Sequence, residues 1–150
     1  MEFSRLKIFT MLLILLTTKG LLASDSNFNL SLKLYKPISI DKIQDLLFPD
    51  TTITGSSFDV TVSPSDIGAA SFVAEGGKNR SISTSIVESS INMNAPGVSG
   101  SIAVDTFVLN APPAFNSSGK ADITVGATAS VSTSQDGDYV GIATLRVIYN

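Results

Sequence analysis

The feature that most constrains this chain is the stretch from Lys120 to Ser132, where apolar and polar residues alternate without a break. Ala121, Ile123, Val125, Ala127, Ala129 and Val131 fall on one parity; Lys120, Asp122, Thr124, Gly126, Thr128, Ser130 and Ser132 fall on the other. Successive side chains of a strand point to opposite faces, so this pattern predicts a strand with one buried face and one polar face. A shorter strand is expected over Phe58, Val60 and Val62, ended by Ser63-Pro64-Ser65-Asp66.

The same reading extends along the chain. Phe28, Leu30, Leu32 and Leu34 alternate with Asn29, Ser31 and Lys33, and the phase continues through Ile38 and Ile40. Pro37 has no ladder donor, so this first strand is expected at an edge or broken there. Residues Asp41 to Leu47 read as a helical turn or a loop. Ala70 to Glu75 and Arg80 to Ile86 read as a hairpin across Gly76-Gly77-Lys78-Asn79. Between Gly100 and Leu109 the apolar phase switches from Ile102 and Val104 to Phe107 and Leu109, which calls for a bulge or a change of sheet. After the turn Gln135-Asp136-Gly137 a last strand is expected from Tyr139 to Tyr149, with apolar residues on both parities. The sum is all-β: an immunoglobulin-like or Greek-key sandwich of about seven strands. With 43% hydrophobic and only 15% charged residues, a chain of 150 residues suits a single such domain.

Residues 1–23 have the layout of a secretory signal: Arg5 and Lys7, an apolar run from Ile8 to Leu16, then a more polar exit to Ala23. The run is shorter than the roughly 20 residues that span a bilayer, so a cleaved signal is expected rather than a permanent anchor. Cleavage is expected after Ala23, and the absence of Cys excludes a lipid-anchored exit. The domain then runs over residues 24–150, with an N-terminal extension strand at 27–36. The mature chain is expected in the periplasm, at the cell surface or outside the cell. It keeps 7 basic and 12 acidic side chains, a formal charge of −5, which argues against nucleic acid as a partner.

Chemistry is bounded by two absences. The chain has no His and no Cys, so His-dependent triads, thiol nucleophiles and His or Cys zinc sites are impossible. Ser117-Ser118-Gly119-Lys120 has Ser-x-x-Lys spacing but crosses from a turn into a strand, without the helix that would align both side chains. Asp136-Gly137-Asp138 lacks the rest of a calcium loop and reads as a turn. The Asn-x-Ser sequons at Asn29, Asn79 and Asn116 are unremarkable in a chain so rich in both residues. No catalytic residue, metal or cofactor is expected, and an enzyme is the distant alternative.

Several segments together resemble a known family. Ala69-Ala70-Ser71-Phe72-Val73 with Gly76, Ser118-Gly119-Lys120-Ala121, Val125-Gly126-Ala127-Thr128, Gly137-Asp138-Tyr139-Val140-Gly141 and Val147-Ile148-Tyr149-Asn150 are similar to the signatures of a bacterial secreted family. It is catalogued as domain-of-unknown-function family number forty-four-oh-two. The similarity runs from Lys36-Pro37-Ile38-Ser39-Ile40 onward, with Phe48-Pro49 standing where the family usually shows Phe-Gly. The resemblance implies a compact exported β-domain and transfers no catalytic residue.

More loosely, the chain resembles the subunits of chaperone-usher pili, which lack one strand and are completed by a neighbour's N-terminal extension. That likeness rests on the alternating extension and on a final strand with Tyr in the penultimate position. It implies Phe28, Leu30, Leu32 and Leu34 as donor-strand residues. Tyr139, Gly141, Leu145, Val147 and Tyr149 become the contacts of the last strand for assembly or a chaperone. The implied partners are copies of the chain or related subunits, a periplasmic chaperone and an outer-membrane usher, in a fimbrial or adhesive role. The competing reading is a self-complete periplasmic or surface module, in which Phe28 to Leu34 form the first strand of the chain's own sheet.

Overall fold

The computed structural model describes residues 24–53, 57–131 and 136–150. Residues 1–23, expected above to be a signal, lie outside the described residues, as do Ser132 and Gln135. Eight strands and no helix are found among the described residues: β1 Ser39–Gln44, β2 Phe58–Val62, β3 Ala70–Glu75, β4 Ile82–Ile86, β5 Ile91–Met93, β6 Ile102–Asn110, β7 Lys120–Val131 and β8 Leu145–Tyr149. All pairings are antiparallel. The chain divides into two units, the second being Leu34–Asn150. The described part of the first, residues 24–33, is exposed throughout and contains no strand.

β7 is the centre of the larger sheet, because its unbroken alternation lets one face bury completely. Ala121, Ile123, Val125, Ala127 and Ala129 are buried, while Lys120 and Asp122 on the opposite face are exposed. The order is β1-β3-β7-β6-β5, and β2 also pairs with β7. β3 covers Lys120 to Val125 of β7 and β2 covers Ala127 to Val131, so the two lie end to end along one edge of the same strand. The chain leaves the sheet between them through a turn in which the Asp66 N–H donates to the Ser63 carbonyl at 3.0 Å and the Ser63 N–H to the Asp66 carboxylate at 2.8 Å. The phase change in β6 is a bulge: register shifts between Asp105 and Val108, with Thr106 at φ 50°. It lets Ile102, Val104, Phe107 and Leu109 all pack on the core clusters within a single sheet.

The second sheet is β4 with β8 alone. Ile82 is buried and Ile86, Leu145, Val147 and Tyr149 are half-buried, and all five pack with Phe72, Ile123, Val125 and Phe115 of the opposite layer and its loops. The architecture is therefore sandwich-like, with six strands facing two.

Four expectations need correction. Ala70 to Ile86 is no hairpin: β3 pairs with β1 and β7, whereas β4 pairs with β8 in the other sheet. The connection crosses between layers because Gly76 donates its N–H to the Gly119 carbonyl at 2.8 Å and packs against the Phe115 ring, where a Cβ would collide. Asp41 to Leu47 is neither helix nor loop alone, since β1 occupies Ser39–Gln44; as an edge strand exposed on both faces it carries no alternation to read. Phe28 to Leu34 lie in no strand. Tyr139 and Gly141 lie outside β8, which begins at Leu145. Val140 makes only an isolated bridge to Asn94, so Gly141 packs beside Ile91 and Met93 of the larger sheet instead.

Candidate functional site

The smaller sheet stops at β8. The register pairs Ile82 with Tyr149, Thr84 with Val147 and Ile86 with Leu145. At its two ends the Asn150 N–H donates to the Ser81 carbonyl at 3.2 Å and the Val87 N–H to the Thr144 carbonyl at 2.9 Å. The even-numbered residues of β8 thus aim their main-chain groups at β4. By the alternation of an antiparallel ladder, Leu145, Val147 and Tyr149 aim theirs the other way. No described strand pairs on that side.

The side chains around this edge are also incompletely covered. Leu145, Val147 and Tyr149 point toward the core yet are only half-buried. Across the layer gap, Phe72 is half-buried although its neighbour Ile123 is fully buried. Ile40 lies opposite the buried Ala74 and so shares its inward face, yet Ile40 is 37% exposed. A third strand beside β8 would cover these groups and satisfy the edge that no described strand pairs.

The four extension residues carry the matching pattern. Phe28, Leu30, Leu32 and Leu34 are 78%, 85%, 81% and 78% exposed. Apolar side chains so placed at every second residue have the repeat a strand presents to one face.

The end of β8 is tied down. The Tyr149 hydroxyl donates to the Lys36 carbonyl at 2.6 Å and accepts from the Gly77 N–H at 2.7 Å. Its ring centroid lies 5.1 Å from that of Tyr35 and 5.9 Å edge-on from Phe115, and the Arg80 guanidinium sits 5.0 Å over Tyr35. At the opposite end Glu88 accepts from the Thr144 N–H at 2.7 Å and its hydroxyl at 2.9 Å, which holds the Glu88 carboxyl below its ordinary pKa. Of the last-strand candidates the structure brings Leu145, Val147 and Tyr149 together on this edge; Tyr139 and Gly141 are elsewhere. Ile40, Phe72, Lys36, Gly77 and Glu88 were not legible as parts of the site; Ile40, which continues the phase of the extension, and Phe72, within an expected strand, carried a local signal.

The Ser-x-x-Lys spacing is a turn. Asn116 Oδ1 accepts from the main-chain N–H groups of Ser118 and Lys120, each at 2.9 Å, and from the Ser118 hydroxyl at 2.6 Å. Gly119 takes φ 84°, and Lys120 pairs with Glu75 at 2.9 Å. That contact lowers the Glu75 pKa and raises that of Lys120.

An all-β sandwich whose smaller sheet ends on a strand edge that no described strand pairs is the class these features define. The chain belongs to the family described as domain of unknown function (DUF4402), whose model matches residues 38–149. The match takes in all eight strands and leaves Phe28 to Leu34 outside it. No curated protein and no solved structure matches the chain. At Phe48-Pro49, Phe48 packs on the second core cluster and the Thr51 hydroxyl donates to the Pro49 carbonyl at 2.7 Å.

Proposed function

We propose that this chain is a pilin-like structural subunit, exported to the periplasm or cell surface, that assembles by adding a strand from one copy to the sheet of the next. The observation that carries this reading is that the chain has both a half-covered β8 edge that no described strand pairs and four exposed apolar residues at two-residue spacing. Main-chain groups of Leu145, Val147 and Tyr149 hold the incoming strand, and Phe28, Leu30, Leu32 and Leu34 close the core. Each large apolar side chain that becomes buried contributes roughly 1.5 to 3 kcal/mol, enough for the set to offset the ordering of a short segment. A periplasmic chaperone and an outer-membrane usher fit this reading as assembly partners. It involves no catalytic step, cofactor or nucleic acid.

Electrophoresis without boiling, with and without residues 24–34, tests it. The intact chain is expected to give detergent-resistant ladders and the shortened chain none, while a peptide of residues 27–34 restores exchange protection to the amides of Leu145, Val147 and Tyr149. A strictly monomeric intact chain with those amides already protected identifies the self-complete module instead.

A further inference from the structure

We infer that the β8 edge accepts the Phe28 to Leu34 segment of a second copy and rejects that of its own chain, because the contact between Tyr35 and Tyr149 sets the wrong phase. The inference rests on the strand-addition reading above. Tyr149 shares the core-facing parity of Leu145 and Val147, and Tyr35 stacks on it. The Lys36 carbonyl is fixed by the Tyr149 hydroxyl, and the Arg80 guanidinium lies over the Tyr35 ring, 5.0 Å from its centroid. These contacts hold residues 35 and 36 at the end of β8 where Gly77 also meets Tyr149.

β1 begins close by, with Ser39 opposite Glu75, one residue before the Gly76-Gly77 crossing. A segment reaching Tyr35 along its own β8 would therefore run parallel to that strand and arrive with Tyr35 level with Tyr149. Stepping back two residues at a time from Tyr35 gives Lys33, Ser31 and Asn29 on the core-facing parity. Leu34, Leu32, Leu30 and Phe28 then face solvent. A slip of one residue would reverse this assignment, but only by breaking the Tyr35 stacking or the bond to the Lys36 carbonyl. A segment from a second copy is bound at its own Tyr35 to its own Tyr149, so it can meet the acceptor edge in the phase that buries its leucines. The clamp that secures β8 thus commits the extension to a neighbour.

Two insertions in the full chain test this. One glycine placed between Leu34 and Tyr35 moves the apolar set onto the core-facing parity while leaving both clamp residues in place. Two glycines restore the original parity with a longer tether. The one-glycine chain is expected to become a monomer with the Leu145, Val147 and Tyr149 amides protected at every dilution, and the two-glycine chain to form ladders like the unaltered one. Both insertions behaving alike, in either direction, overturns the inference. The peptide of residues 27–34, added to a chain lacking residues 24–34, then shows which claim has failed. If it binds and protects those amides, strand addition stands and only the phase block falls; if it does not bind, both fall.

Discussion

Gly126 lies against the carbonyl oxygen of Val62, at the point where β2 gives way to β3 along the edge of β7. A Cβ there would overlap that oxygen and come within 2.8 Å of the Ser63 carbonyl carbon and 2.9 Å of Pro64 Cδ. The close approach is what allows two strands to share one edge of β7 with a turn between them. Gly126→Ala is therefore expected to cost about 1 to 3 kcal/mol, the usual range for overpacking against atoms that yield only by moving backbone. Chemical denaturation of the two proteins measures it; an unchanged midpoint would mean the turn moves aside freely.

The two faces of β7 should respond oppositely to charge. Ile123→Asp places a carboxylate at a position with no exposure and no partner, so a loss of several kcal/mol is expected. Thr128→Lys puts a cation on the outer face directly opposite Asp105 and should be tolerated. Thermal unfolding of both variants checks the register, and equal damage from the two would contradict it.

Removing only the hydroxyl of Tyr149 separates its hydrogen bonds from its packing. Tyr149→Phe leaves the Gly77 N–H and the Lys36 carbonyl without this partner, which is expected to cost about 1 to 3 kcal/mol. Hydrogen exchange at Gly77 should accelerate by more than exchange at the centre of β7. A uniform change across all strands would instead point to a general loss of packing.

The Glu88 contact predicts an acid-sensitive end of β8. Its folded pKa is depressed, chiefly by the hydrogen bond from the Thr144 N–H. The sign follows from linkage: this stabilisation is fully present above the ordinary glutamate pKa and is lost as pH falls through the lower, folded value. Glu88→Gln is expected to flatten the acid side of the Tm-against-pH curve and to change little near neutrality beyond a constant offset. An identical acid slope in both proteins would show that the carboxylate contributes nothing there.

Sequence patterning revealed those parts of the fold in which one face is buried against one partner. β7 is legible because its odd positions are core and its even positions are not, and the bulge in β6 is legible because only an extra residue brings Phe107 onto the side of Val104. What stayed hidden depends on distant partners. Gly76-Gly77-Lys78-Asn79 has hairpin composition, but Gly119 and Phe115 decide where the chain goes, and nothing near Gly76 in sequence announces them. The extension poses the converse problem, since Phe28 to Leu34 has a strand's alternation without a strand's partner. The alternation of the extension was therefore readable as pattern, while the β8 edge that no described strand pairs emerged only from the two-stranded second sheet.

The position of β7 in the chain also sets a timetable. β2, β3 and β6 all hydrogen-bond to residues 120–131, so none can take its native place until that stretch has been synthesised. The sheet is dominated by pairings distant in sequence, of the kind that close slowly because loop entropy must be overcome first. While waiting, β3 and β6 can pair only on the sides that face β1 and β5 and leave their β7-facing edges exposed, so the need for protection from aggregation is greatest just before the central strand appears.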